Sequence, residues 1–300
     1  MTAAPQFLTS RQFADSLGVS ESSVKRWVDD GTIAADRTAG GHRRIPLAAA
    51  IRYIRRTSAP LSKPHALPLE AAPQVGAVDR AAEEQLLGAM LQDRTAEARA
   101  IISGRYVGGA GIAEIADHLI RPVLHRLGEL WHRDPEGILL EHRAVDTCVQ
   151  ALTEIGSWLP GVSSSAPAAV IAGGPGDPYL LPPMLASLVL RECGIRAYNL
   201  GPSTPLETIG LAMSRYGAHL CSISISATPA PRSEAKWTDL VRAIAKQNGR
   251  IVIGGRSSAA LPETVRERAR MCGSMSEFAA YATGWLEGFE RVTRKKEHGS

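Results

Sequence analysis

From Ala168 onward the chain alternates short apolar runs with amphipathic stretches, and this alternation restricts its fold more than any other feature. Ala168-Ala-Val-Ile-Ala172 leads into Gly173-Gly174-Pro175-Gly176 and then a helical stretch from Pro182 to Arg191. Arg196-Ala-Tyr-Asn-Leu200 precedes a helix over about 205–215. His219-Leu-Cys-Ser-Ile-Ser-Ile225 precedes one near 235–247, and Arg250-Ile-Val-Ile253 runs into Gly254-Gly255. Apolar strands covered on both faces and separated by helices predict a doubly wound, Rossmann-like parallel sheet over residues 161–295. Its crevice would lie at the carboxyl ends of the strands, where the glycine loops sit.

Residues 79–160 carry a different period. Leu86, Leu87, Met90 and Leu91 recur at helical spacing, as do Ile112, Ile115, Leu119, Val123 and Leu127, then Ala144, Val145, Cys148 and Leu152. Turn residues at 108–111 and at Asp134-Pro-Glu-Gly137 divide this region, and a four-helix bundle is the simplest assembly. Residues 58–78 are rich in Pro, Ala and Ser without helical periodicity, which predicts a flexible, semi-extended linker. The expected whole is a multi-domain chain of mixed α and α/β class.

The first 57 residues form a third kind of region. Thr9-Ser10 offers a cap before a helix that Gly18 ends, and Ser20 caps a second helix running to Asp30. Gly40-Gly41 marks a hairpin tip between Arg37-Thr38 and His42-Arg43-Arg44, and Pro46 opens a third helix. Nine cations against five anions give this segment a charge of +4, which equals the net charge of the whole chain. A basic module on a neutral body predicts a nucleic-acid-binding end, with double-stranded DNA as the partner. In a winged helix-turn-helix the second helix enters the major groove. Ser22, Ser23, Lys25 and Arg26 are then the candidates for base edges and phosphates. Arg37, Thr38, His42, Arg43 and Arg44 would deliver the wing to the backbone.

Cys148, Cys193, Cys221 and Cys272 are scattered, with no C-x-x-C pair, so reduced thiols are expected and a structural zinc site is not. No run of about 18 apolar residues occurs and no signal-peptide pattern opens the chain, which predicts a cytoplasmic protein without a membrane partner. Gly173–Gly176 after a strand resembles a phosphate loop only weakly, lacking the Lys-Ser/Thr that would follow. No nucleophile–base pair stands out, so an enzyme is not expected.

The carriers Leu17-Gly-Val-Ser20, Arg26-Trp27, Gly31 and Thr38-Ala-Gly-Gly-His-Arg-Arg44 resemble the DNA-binding domain of the MerR family of regulators. Members that sense metals or drugs follow the wing with a long dimerising helix. The Pro-rich segment stands there instead, so the bundle and the C-terminal region would make any dimer or tetramer.

Trp131, His132, Glu141 and His142 form a W-x9-E-H pattern across the 134–137 turn. Taken with the winged N-terminus and the doubly wound sheet, this resembles the cobalamin-dependent light-sensing repressors of the CarH and LitR type. The resemblance covers about residues 7–290. It implies that the bundle caps the upper face of a cobalamin, with His132 available as an upper cobalt ligand, and that the sheet holds the lower face and nucleotide tail. It also implies a tetramer on DNA that light takes apart.

The sheet signature D-x-H-x-x-G, S-x-L and G-G falls on Asp177 to Pro182, Ser224 to Ser226, and Gly254-Gly255. Tyr179 stands where a cobalt-ligating histidine is expected, Pro182 replaces the glycine, and Ser226 ends the second element. A phenol with a pKa of about 10 ligates cobalt well only as phenolate. Three readings follow: cobalamin held without the lower histidine, another flat tetrapyrrole, or no ligand and a purely oligomerising module. The expected ligand set is Trp131, His132, Glu141, His142, Asp177, Tyr179, Ser224, Ser226, Gly254 and Gly255. The expected function is a DNA-binding regulator, a repressor, with a cobalamin-type sensor; the alternative is a ligand-independent regulator.

Overall fold

The computed structural model describes residues 6–131, 136–228 and 234–297. The chain divides into two units, Met1–Pro160 and Gly161–Ser300.

The first unit opens with strand β1 (Phe7–Leu8) and helices α1 (Ser10–Leu17) and α2 (Glu21–Asp29). Strands β2 (Asp36–Arg37) and β3 (Arg43–Pro46) and helix α3 (Leu47–Thr57) follow. Thr9 and Gln12 form a capping box at α1, each side chain accepting the other's backbone N–H, at 3.2 and 2.9 Å. Ser20 caps α2 by accepting from Ser23 N. The strands make an antiparallel sheet in the order β1-β3-β2. Phe13, Val24, Ile45 and Ile51 close the core beneath it. Tyr53 of α3 joins them, edge-on to Phe13 and tilted against the half-buried Trp27.

Helices α4 (Arg80–Leu91) and α5 (Thr95–Val107) lead into a helical run of α6 (Ile112–Ile115), a π turn (Ala116–Ile120) and α7 (Arg121–Trp131). Helix α8 (Glu136–Trp158) completes the bundle. The periodic positions are the buried ones: Ile112, Ile115, Leu119, Val123 and Leu127 on one helical run, Ala144, Cys148 and Leu152 on α8. Leu91 departs from the pattern and is exposed.

Residues 58–78 lie along both parts of this unit. Ser62 N and Lys63 N donate to Ser16 O at 2.9 and 3.1 Å, Leu67 is buried, and Gln74 N donates to Ala100 O at 3.0 Å. The Arg105 guanidinium holds Gln74 O from beneath. Two arginines one turn apart on α3 also reach the bundle. Arg55 donates to Tyr106 O in the last turn of α5 and to Ala110 O (2.9 Å) in the loop beyond it, its guanidinium 3.7 Å from the Tyr106 ring centroid. Arg52 donates to Trp158 O at the end of α8 (3.3 Å). The last turn of a helix carries partial negative charge on its carbonyls, which favours a guanidinium there.

The second unit contains strands β4 (Ala168–Gly173), β5 (Arg196–Asn199), β6 (Ala218–Ser224), β7 (Arg250–Gly254) and β8 (Arg270–Met271). Its helices are α9 (Leu181–Glu192), α10 (Leu206–Arg215), α11 (Glu234–Lys246), α12 (Glu263–Arg266) and α13 (Met275–Glu297). All strand pairs are parallel, in the order β5-β4-β6-β7-β8. Val170, Ala172, Cys221, Ile223, Ile251 and Ile253 pack with Ile209, Met213, Trp237 and Ile244 of α10 and α11. The alternate strand residues point to the other face, which α9 covers. Strand order reverses between β4 and β6, so the topological switch lies at the loops after those two strands. The four strands expected from the sequence are present; β8, α12 and α13 are additions.

Candidate DNA interface and the crest of the parallel sheet

Helix α2 carries its cap and its candidates on the same turn. Ser20 Oγ lies 2.9 Å from both Ser22 Oγ and Ser23 Oγ. Lys25 pairs with Glu21 one turn back at 2.9 Å, while Arg26 is exposed. Beyond α2, Asp30 Oδ1 accepts from Thr32 N at 2.9 Å; hydrogen bonds from the Thr32 side chain first, and from its backbone N–H second, hold the Asp30 carboxyl below its ordinary value.

The wing is built by its own hydrogen bonds. Thr38 N donates to His42 O (3.0 Å), Gly41 N to Thr38 O (2.8 Å), and His42 N to Thr38 Oγ1 (3.1 Å). Gly41 sits at φ +77° with open space around it, a backbone state that suits glycine. Alternation along β3 then divides the cations. Arg44 turns to the face of β1, its guanidinium 4.0 Å from the Phe7 ring centroid. Arg43 turns toward α2 and grips Asp29, with Nη2 2.7 Å from Oδ2 and 2.8 Å from Oδ1 and Nε 3.2 Å from Oδ1. Arg37, directly across the strand pair from Arg43, donates to the same carboxylate at 3.0 Å. His42 stays exposed at the tip.

In the bundle, α7 ends at Trp131, and His132 lies outside the described residues. Helix α8 starts at Glu136, so Glu141 and His142 stand in its second turn rather than at its start. Glu141 is half-buried; His142 is exposed, its Nδ1 2.8 Å from Ile138 O. An open groove of about 630 Å³ elsewhere in this unit, lined by Asp79, Glu83, Glu84, His118 and Arg126, did not stand out in the sequence. Its charges answer one another. Arg126 donates to Glu83 and Glu84, which raises its own pKa and lowers that of Glu84.

The crest of the sheet is knotted around Asp177, which is buried. Its Oδ1 accepts from Tyr179 N (3.1 Å), its Oδ2 from Ser226 N (2.5 Å), and its carbonyl from Ser203 N (2.8 Å). One residue thereby joins the loops after β4, β5 and β6. Arg256, after β7, adds the fourth loop. It donates to Ser226 O at 2.9 Å and to the Tyr179 hydroxyl at 2.6 Å, with its guanidinium 4.9 Å from the Tyr179 ring centroid. Arg256 stands outside the expected ligand set; its position just after Gly254-Gly255 is the signal for it. Gly255 sits at φ +99°, and a Cβ there would stand 2.4 Å from Ile225 O. Ser224 Oγ is buried with no hydrogen-bond partner among the described residues.

The four thiols are free. Burial pushes Cys148 and Cys221 up to about 12. No helix among the described residues is long and apolar enough to cross a membrane.

Against known families, residues 7–58 match the Helix-turn-helix domain. No curated protein matches the chain. Among solved structures, the chain is similar to the monomethylamine corrinoid protein of Methanosarcina barkeri, at 15% identity and a TM-score of 0.51, covering 68% of this chain and 98% of that one. A cobalamin-binding protein from Desulfitobacterium hafniense DCB-2 matches at 15% identity and a TM-score of 0.34, covering 67% and 97%. The methanol:cobalamin methyltransferase complex MtaBC of Methanosarcina barkeri matches at 11% and 0.36, covering 70% and 81%. At these identities the likeness is one of fold: the chain joins a helix-turn-helix domain to the helical and parallel-sheet architecture of a corrinoid protein.

Proposed function

We propose that this chain is a DNA-binding transcriptional regulator, a repressor of the MerR kind, and not an enzyme. Helix α2 reads the major groove and the wing rests on the backbone beside it. The observation that carries this reading is the serine-capped α2 standing beside a hairpin wing whose cations flank it. The bundle and the sheet unit are its regulatory part, and they join copies into a dimer or tetramer on the operator.

A corrinoid held by a histidine, with its tail beside β4, does not fit the residues present. Tyr179 occupies the ligand position, and its hydroxyl already accepts from Arg256. Room beside Gly174 is filled by Ile225, whose Cδ1 lies 2.4 Å from where a Cβ would stand. Regulation in this reading does not pass through cobalt ligation by the 177–182 loop.

A second reading, a light-responsive sensor holding a tetrapyrrole in another way, is favoured by one observation. The Ser224 hydroxyl is buried at the end of β6 without a partner, and such a group costs stability unless something answers it.

Selection from a random duplex library, followed by anisotropy titrations of the full chain across a salt series, tests the main reading. A selected sequence should emerge, and log K should fall linearly with log salt by about 0.9 per phosphate contacted. Absence of any duplex binding overturns it. Spectra taken with hydroxocobalamin, adenosylcobalamin and a bilin, in darkness and under illumination, separate the two readings. Stoichiometric visible absorbance that changes with light establishes the sensor; a colourless protein that still assembles on its duplex establishes the ligand-independent regulator.

A further inference from the structure

Arg37 and Arg43 face each other across β2 and β3, and like charges directly opposite destabilise a strand pair. Asp29 is the last residue of α2, where the helix dipole disfavours a carboxylate. Each placement is unfavourable alone. Together they make one bidentate and one single contact on a shared carboxylate, and they tie the hairpin to the end of the recognition helix. Asp29 is 46% exposed and Arg43 only 21%, so the arginine is the more enclosed partner. Arg44 and His42 take no part in this cluster. They are exposed on the remaining surface of the wing.

We propose that Asp29 is a positioning residue for DNA recognition. Its carboxylate, with Arg37 and Arg43 as two arms, sets the wing against α2, and Arg44 and His42 are the wing's phosphate contacts. The inference rests on the DNA-binding reading above and assigns roles within that interface. Arg43 owes its place to the protein rather than to the duplex.

Two signs separate this from a simple charge effect. An acidic group beside DNA repels phosphates, so its removal should strengthen binding if it does nothing else. Loss of a brace should weaken binding and leave the number of phosphate contacts unchanged.

The test uses the full chain and its selected duplex, titrated across a salt series. Asp29→Asn and Arg43→Ala should each weaken binding by about tenfold, the double variant should be no worse than either, and Asp29→Glu should retain most of the affinity. The salt slope should stay at the wild-type value in all four, whereas Arg44→Ala should lower it by about 0.9. Near-ultraviolet dichroism from the Trp27–Tyr53 pair reports whether each variant is folded. Tighter binding by Asp29→Asn, or a slope reduced in Arg43→Ala, overturns the proposal while leaving the DNA reading intact. A wild-type chain that binds no duplex overturns both.

Discussion

In the winged region a carboxylate at the end of a helix gathers two guanidiniums from a hairpin; at the crest of the sheet another gathers backbone N–H groups from two loops. Asp29 is exposed and its partners are long side chains with many rotatable bonds, so water competes for the carboxylate. Asp177 is enclosed and its partners are fixed in the main chain, so it has nothing to exchange with. The difference separates an adjustable joint from a permanent one. A surface that must adapt to a duplex suits the first; a crest that must keep four loops in register suits the second.

The effect expected to be largest falls on both regions together. Cys148 in the bundle and Cys221 in the sheet are protonated thiols whose folded pKa is raised to about 12 by burial. Their stabilisation is complete below the ordinary thiol pKa and is lost as pH rises from there toward about 12. Equilibrium unfolding followed by hydrogen exchange should therefore show both units weakening in alkali. Both thiols should also resist an alkylating reagent near neutrality; prompt labelling would contradict the packing around them.

Removing the two carboxylates compares the regions directly. Asp177→Ala strands two charge-assisted bonds and should cost about 3 kcal/mol in urea unfolding. Asp29→Ala should cost less than about 1 kcal/mol. Equal costs would mean that the two carboxylates are held alike. Two left-handed glycines sharpen it further. Gly255→Ala combines an unfavourable φ with a collision against Ile225 and should cost about 2–3 kcal/mol. Gly41→Ala meets open space at the hairpin tip and should cost about 1 kcal/mol, measured in the same way.

The sheet was legible because strand apolarity and helix spacing are local signals. The run at 168–173 is buried throughout, as an inner parallel strand must be, and the loops after β4, β6 and β7 meet where the motifs had pointed. The caps at Thr9 and Ser20 were legible for the same reason. The tertiary choices were not. Arg43 and Asp29 are 14 residues apart, and no periodicity says that a wing arginine turns to a helix end rather than to solvent. Arg256 reaches Tyr179 across 77 residues, and the Gly254-Gly255 pair before it marks the loop but not the partner. The segment at 58–78 has the composition of a free linker, yet its hydrogen bonds run to Ser16, Ala100 and Arg105, partners that composition does not encode.

That segment, with Arg52 and Arg55 on the helix before it, has a geometric consequence for any assembled form. A free tether of this length would let its two ends wander by about 25 Å root-mean-square. Fastened at both ends and latched through α3, it turns the helix-turn-helix domain into part of a stiff lever. Two copies joined through their bundles would therefore offer a fixed stride along the duplex. Inserting base pairs between half-sites would throw one such domain out of helical phase instead of being absorbed by slack.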